Sequence, residues 1–167
     1  MISYRFQTTI DRSPDEVWAY AVDLRRHPEW MDIRDAALVS GDPTVVGAVG
    51  RESLRIGPRT YEVRVTVEAA EPGRLVAWRF KGAAPLEGEA QLELEPVDGR
   101  TRATWSGETR LRGLWRLAQP LLAREIRSGE AAELEKLKAI LEARGDVASA
   151  TEVAAGSHDV GAVQSKT

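Results

Sequence analysis

The chain is 167 residues long, with 43% hydrophobic, 29% charged and 6% aromatic residues, the size and make-up of one folded domain with a modest extension. It contains no cysteine, which excludes disulfides, thiolate metal sites and thiol nucleophiles. Lys and Arg number 23 against 26 Asp and Glu, a net charge of -3, and no basic stripe runs along the chain, so nucleic acid is not expected as a partner.

Ile2, Tyr4, Phe6, Thr8 and Ile10 fall on one side of an extended chain and Ser3, Arg5, Gln7 and Thr9 on the other, which predicts a half-buried strand. Ser13 then suits an N-cap, Pro14 the first helical position, and Asp15 and Glu16 the positive helix end; a short helix is expected from Pro14 to about Val22. His27-Pro28-Glu29-Trp30 fits a second short turn or helix start, before the chain becomes extended again at Leu38-Val39.

From Ala48 to Arg110, turn chemistry at Gly57-Pro58, Pro72-Gly73, Gly82 to Pro85 and Asp98-Gly99 divides an antiparallel meander. Tyr61, Val63, Val65 and Val67 oppose Glu62, Arg64, Thr66 and Glu68, and Ala90, Leu92 and Leu94 oppose Gln91, Glu93 and Glu95, so one face of the sheet is dry and the other wet. The better register for residues 48–56 sends Gly50, Glu52, Leu54 and Ile56 inward; a bulge near Gly50, or a place for Glu52 at the rim, is the alternative.

The period then changes. Trp115, Ala118, Leu122, Ile126, Gly129, Leu134, Leu137 and Leu141 form one helical stripe, widened by Leu114, Leu117 and Leu121, which predicts a long amphipathic helix from Leu114 to Arg144. Pro120 is expected to kink or divide it and Gly145 to end it. Residues 145–167, rich in Ala, Val, Ser and Gly, read as a disordered tail or, alternatively, an interaction tail after a single domain spanning 1–144. No run approaches the roughly 18 to 20 apolar residues of an integral membrane span, and no signal-peptide-like stretch opens the chain. A cytoplasmic, soluble monomer or homodimer is expected.

The long helix is the element able to cover the apolar face of the sheet, aided by the two short helices, giving an α+β architecture. A twisted sheet of six or seven strands curls away from a straight rod, which leaves a gap lined by apolar side chains. Gly129, Ser128, Ala131 and Ala132 put small residues where a solid core wants Leu or Phe; close packing against Trp78 or Trp105 is the other explanation.

The opening strand, Ser13-Pro14-Asp15-Glu16-Val17-Trp18, Asp23, His27-Pro28-Glu29-Trp30, Val46-Gly47, the meander and a final helix ending Leu134-Glu-Lys-Leu137-Lys-Ala-Ile-Leu141-Glu together resemble the START-like (SRPBCC) superfamily, especially its bacterial polyketide cyclase/dehydrase branch, over about Met1 to Arg144. The resemblance implies a helix-grip fold enclosing a deep hydrophobic cavity, used by relatives for lipids, hormones, quinones and aromatic polyketides. It does not imply one reaction, because binders and enzymes share the fold.

Metal catalysis and a catalytic triad both lack the residues, since His27 and His158 are the only histidines. Gly47-Ala-Val-Gly50 lacks dinucleotide spacing, and no cofactor is expected. His27 is the one plausible histidine base, but its place before Pro28 in an expected exposed connection favours a structural role. Glu52 is a candidate buried carboxylate for proton transfer, and Tyr61 a candidate hydroxyl for a ligand carbonyl or an ordinary core tyrosine. Trp30, Leu54, Trp78, Phe80 and Trp105 are expected to line the cavity, with Val63, Leu92, Leu122 and Ile126 beside them, while Trp18 and Trp115 look like packing anchors. The partner expected is a small hydrophobic molecule. The rival readings are an enzyme closing rings by enolisation and aldol chemistry, and a protein-interaction or chaperone-assisting module with a sealed interior.

Overall fold

The computed structural model of the chain describes residues 1–56 and 58–156. Seven strands, β1 (Ile2–Ile10), β2 (Asp35–Ser40), β3 (Val49–Ile56), β4 (Arg59–Glu71), β5 (Leu75–Gly82), β6 (Leu86–Val97) and β7 (Arg100–Leu111), form one sheet in the order β1-β7-β6-β5-β4-β3-β2. Every neighbouring pair is antiparallel. β1 and β2 therefore occupy opposite edges, joined by α1 (Pro14–Ala21), a 3-10 turn (Leu24–Arg26) and α2 (His27–Trp30). With α3 (Trp115–Gly156) laid against the dry face, this is the helix-grip α+β fold.

The local chemistry explains the element ends. Ser13 accepts from the Glu16 backbone N–H while the Glu16 carboxylate accepts from the Ser13 N–H, a complete capping box with Pro14 at the first turn. Asp98 and Gly99, at φ 50° and 76°, supply the two left-handed positions that match a tight hairpin to the strand twist. Irregular pairing between Leu38 and Ser40 and between Val67 and Ala69 adds the bulges that bend a sheet. The wet face carries exposed pairs such as Arg102 with Glu95 at 3.2 Å and Arg51 with Glu62 at 2.8 Å, which add little stability in solvent.

The helix α3 grips the sheet unevenly, and this creates the site. Near its C-terminal half, Leu134, Leu137 and Leu141 are buried against the core, each contributing about 2 kcal/mol by burial. Arg12, at the end of β1, donates from Nε to the Leu141 carbonyl at 3.0 Å, and the Asp11 N–H donates to Glu142 at 2.9 Å. Over residues 115–133 no side chain of α3 is fully buried.

Two expectations about α3 need correcting. Its backbone continues through Gly145 to Gly156, with Pro120 inside it rather than dividing it; one glycine costs a helix only about 1 kcal/mol, and the alanine-rich residues that follow favour helix. Leu114, Leu117 and Leu121 do not widen the inward stripe, being 85%, 82% and 82% exposed. At 3.6 residues per turn Leu117 and Leu121 fall on the side of α3 away from Trp115, Leu122 and Ile126, and Leu114 lies in the turn that precedes the helix. The remainder of the expected disordered tail, 157–167, lies outside the described residues.

Candidate functional site

Between the raised half of α3 and the sheet lies a cavity of about 810 Å³. Its sheet wall is built by inward positions of successive strands: Glu52 and Leu54 on β3, Val63 and Val65 on β4, Trp78 and Phe80 on β5, Ala90 on β6 and Trp105 on β7. Leu122 and Ile126 close it from α3. A Cβ added at Gly129, also on the wall, would meet nothing within 4 Å, so this glycine borders open space rather than packing against a tryptophan.

Glu52, Leu54, Val63, Trp78, Phe80, Trp105, Leu122 and Ile126 thus share one cavity. Three residues expected with them stand elsewhere. Trp30 is fully buried behind the wall, edge-on to Trp105 with ring centroids 5.5 Å apart. Leu92 is sealed in the core opposite Val76. Tyr61, half-buried across from Leu54, is not on the wall; it sits closer to the β3–β4 turn than Val63 does. Trp115, read as a packing anchor, is 41% exposed and borders the cavity.

The polar part of the wall is richer than the sequence suggested. His27 is not in an exposed connection: α2 turns it inward until it is 1% exposed. Its Nε2 lies 3.1 Å from the Ala21 carbonyl, which can only accept, so Nε2 carries a hydrogen. Its Nδ1 lies 2.6 Å from Glu52 Oε1. The close contact requires a proton between the two groups, either as imidazolium facing carboxylate or as neutral imidazole accepting from the acid. Edges of Trp30 and Trp78 pack around the ring, with centroids 5.7 and 5.1 Å away.

A second cluster hangs from α3. Trp105 Nε1 donates to Glu130 Oε2 at 2.8 Å, and the Tyr4 hydroxyl donates to the same carboxylate. Burial raises the Glu130 pKa while these two donors oppose the rise. Burial, then the neighbouring Glu130 charge, pushes Glu133 up to about 8; its Oε1 accepts from the Asp32 N–H at 2.9 Å. Burial and Glu130 together hold the Tyr4 hydroxyl protonated far above the ordinary tyrosine range. Tyr4 reaches this position because Gly107 stands opposite it in β7, where a Cβ would lie 2.5 Å from the hydroxyl oxygen.

Chemically, the wall offers a protonated carboxyl at neutral pH in Glu133, a shared proton at His27–Glu52, and one phenol, all facing an apolar volume. The signal for Glu133 was present: it falls seven residues after Ile126 and four after Gly129, in the inward phase of the helix. Tyr4 was legible as inward but not as polar wall. Among the described residues no three His, Asp or Glu side chains are grouped to hold a metal ion.

Comparison with the curated proteins finds none that matches. Among solved structures, the chain is similar to the ZhuI aromatase/cyclase of Streptomyces sp. R1128, at 17% identity and TM-score 0.68 over 85% of this chain and 94% of that one. It is also similar to the di-domain aromatase/cyclase StfQ of the steffimycin biosynthetic pathway, at 12% identity and TM-score 0.70, covering 87% of this chain and 52% of StfQ. A protein from Thermus thermophilus, TTHA0849, gives 16% identity and TM-score 0.69 over 85% and 98% of the two chains. At these identities the likeness shows the fold. The family model described as polyketide cyclase / dehydrase and lipid transport matches residues 1–142, and the chain belongs to that family.

Proposed function

We propose that the protein binds a small, largely apolar, ring-bearing molecule of lipid, quinone or polyketide type in the cavity between the sheet and α3. The observation that carries this reading is the 810 Å³ volume walled by Leu54, Val63, Phe80, Trp78, Trp105 and Ile126, a size and lining suited to a multi-ring ligand. Tryptophan faces give a flat ring system broad contact, while the protonated Glu133 offers a hydrogen-bond donor to its oxygens. The test is native mass spectrometry of protein purified gently from its own host. A co-purifying small molecule supports the reading, and a bare chain together with failure to take up any of a panel of quinones and polycyclic phenols contradicts it.

A second reading, a ring-closing cyclase or dehydrase, is favoured by the titratable groups on the wall. Ring closure needs a base to take a proton from a carbon between two carbonyls, and an acid to protonate the alkoxide formed when the enolate attacks a second carbonyl. The Glu52–His27 pair and Glu133 fit those two roles, whereas Tyr61 stands off the wall. Turnover of a poly-β-ketone surviving intact in both Glu133→Gln and Glu52→Gln would remove this reading and leave the binding one standing. The rival interaction module, with its sealed interior, is disfavoured by the open volume.

A further inference from the structure

The first turns of α3 are apolar on both sides. Trp115, Leu122 and Ile126 face the cavity, yet Leu117 and Leu121 stand 82% and 82% exposed on the far side, and Leu114, in the turn just before the helix, is 85% exposed. A helix segment that is hydrophobic all round normally has something on each face, and adjacent exposed leucines mark a surface that meets a partner. The charge around them is mostly positive. From Arg110 to Arg124 the sequence carries Arg110, Arg112, Arg116 and Arg124, and the first acid to follow is Glu125, one turn on from Leu121, in a chain whose net charge is -3. Arg112 is tied to Glu87 at 3.7 Å and to the Ala84 carbonyl at 2.8 Å, but Arg116 and Arg124 are exposed and have no ion-pair partner among the described residues.

We propose that this face of α3 docks on an anionic lipid surface, the leucines entering the headgroup boundary and Arg116 and Arg124 meeting lipid phosphates. A ridge of protruding aliphatic side chains flanked by arginines matches an interface with greasy depth and negative charge. A second copy of the chain fits less well. In a two-fold contact the patch meets itself, so arginine faces arginine and Glu125 is the one acid in the first three turns of α3 to offset them. The same helix turns that would enter the lipid form a wall of the cavity through Trp115, Leu122 and Ile126. The docking claim itself rests on the exposed face and does not require the cavity to be loaded.

The experiment is co-sedimentation of the full chain with vesicles of pure phosphatidylcholine and of phosphatidylcholine containing about one third phosphatidylglycerol. The wild type is expected to sediment with the anionic vesicles, weakly with neutral ones, and less as salt rises. Leu117→Asp with Leu121→Asp should lower the apparent affinity at least roughly tenfold, and Arg116→Gln with Arg124→Gln by about tenfold, with unchanged Tm because these side chains are exposed. Equal binding to both vesicle types, or none to either, overturns the proposal. A dimer in solution that the aspartate pair splits, without vesicle binding, assigns the face to a second copy and overturns it as well.

Discussion

His27 Nδ1 lies 2.6 Å from Glu52 Oε1, and both side chains are buried. The pair joins α2 to β3 across 25 residues of sequence, so it fixes the short helices against the sheet and closes one end of the cavity. Removing one partner leaves the other buried and unsatisfied, while removing both for apolar groups of similar volume does not. Glu52→Leu or His27→Leu alone should each cost about 3–5 kcal/mol, and the double variant less than the sum. Urea unfolding of the three variants checks this; additive losses would show that the two groups do not interact.

Glu133 has a folded-state pKa raised to about 8 from 4.5 by burial and by Glu130. A raised acid makes the folded state hold a proton that the unfolded chain releases, so its contribution is complete below pH 4.5 and is lost as pH rises toward about 8. Stability should therefore fall between pH 5 and pH 8 by on the order of 1–3 kcal/mol. Glu133→Gln should flatten that slope, and thermal unfolding of both proteins across the range tests it. The affinity for a neutral apolar ligand should fall in the same window as the wall becomes charged.

Gly129 sits in the interior of α3 with open space where a Cβ would go. Gly129→Ala should raise stability by about 0.5–1 kcal/mol, the ordinary helix preference, with no offsetting clash. A lower Tm would mean that the cavity is closed at this point in solution.

Arg12 ties the end of β1 to α3 through the carbonyls of Leu141 and Glu142, while its own carbonyl accepts from Thr101 at 2.6 Å. Arg12→Ala should cost about 1–2 kcal/mol and speed hydrogen exchange in the C-terminal half of α3 more than in the central strands. Uniform change in both would remove the anchoring role.

Much of the fold was written in local periodicity. The period-two runs of β4, β6 and β7 and the capping signature at Ser13–Glu16 need no knowledge of distant neighbours. The inward register of Glu52 was likewise readable from Gly50, Leu54 and Ile56. What could not be read locally is where α2 comes to rest: His-Pro in four helical residues looks like an exposed connection until β3 supplies the acid that receives it. The outward face of Leu117 and Leu121 was legible: at 3.6 residues per turn both fall on the side away from Trp115, Leu122 and Ile126, and adding them to one wide stripe passed over that phase. Tyr61 failed as a wall residue because alternation fixes its face and says nothing about its distance along the strand from the cavity.

The central claim is that the space under the raised half of α3 admits a ligand. The most direct measurement is a fluorescence titration of the wild type and of Gly129→Trp with an apolar reporter dye such as 1-anilinonaphthalene-8-sulfonate, each checked for an intact Tm. Saturable binding at one site in the wild type, weakened when the indole takes up part of the cavity beside Gly129, is the predicted result; equal binding by both proteins would contradict it.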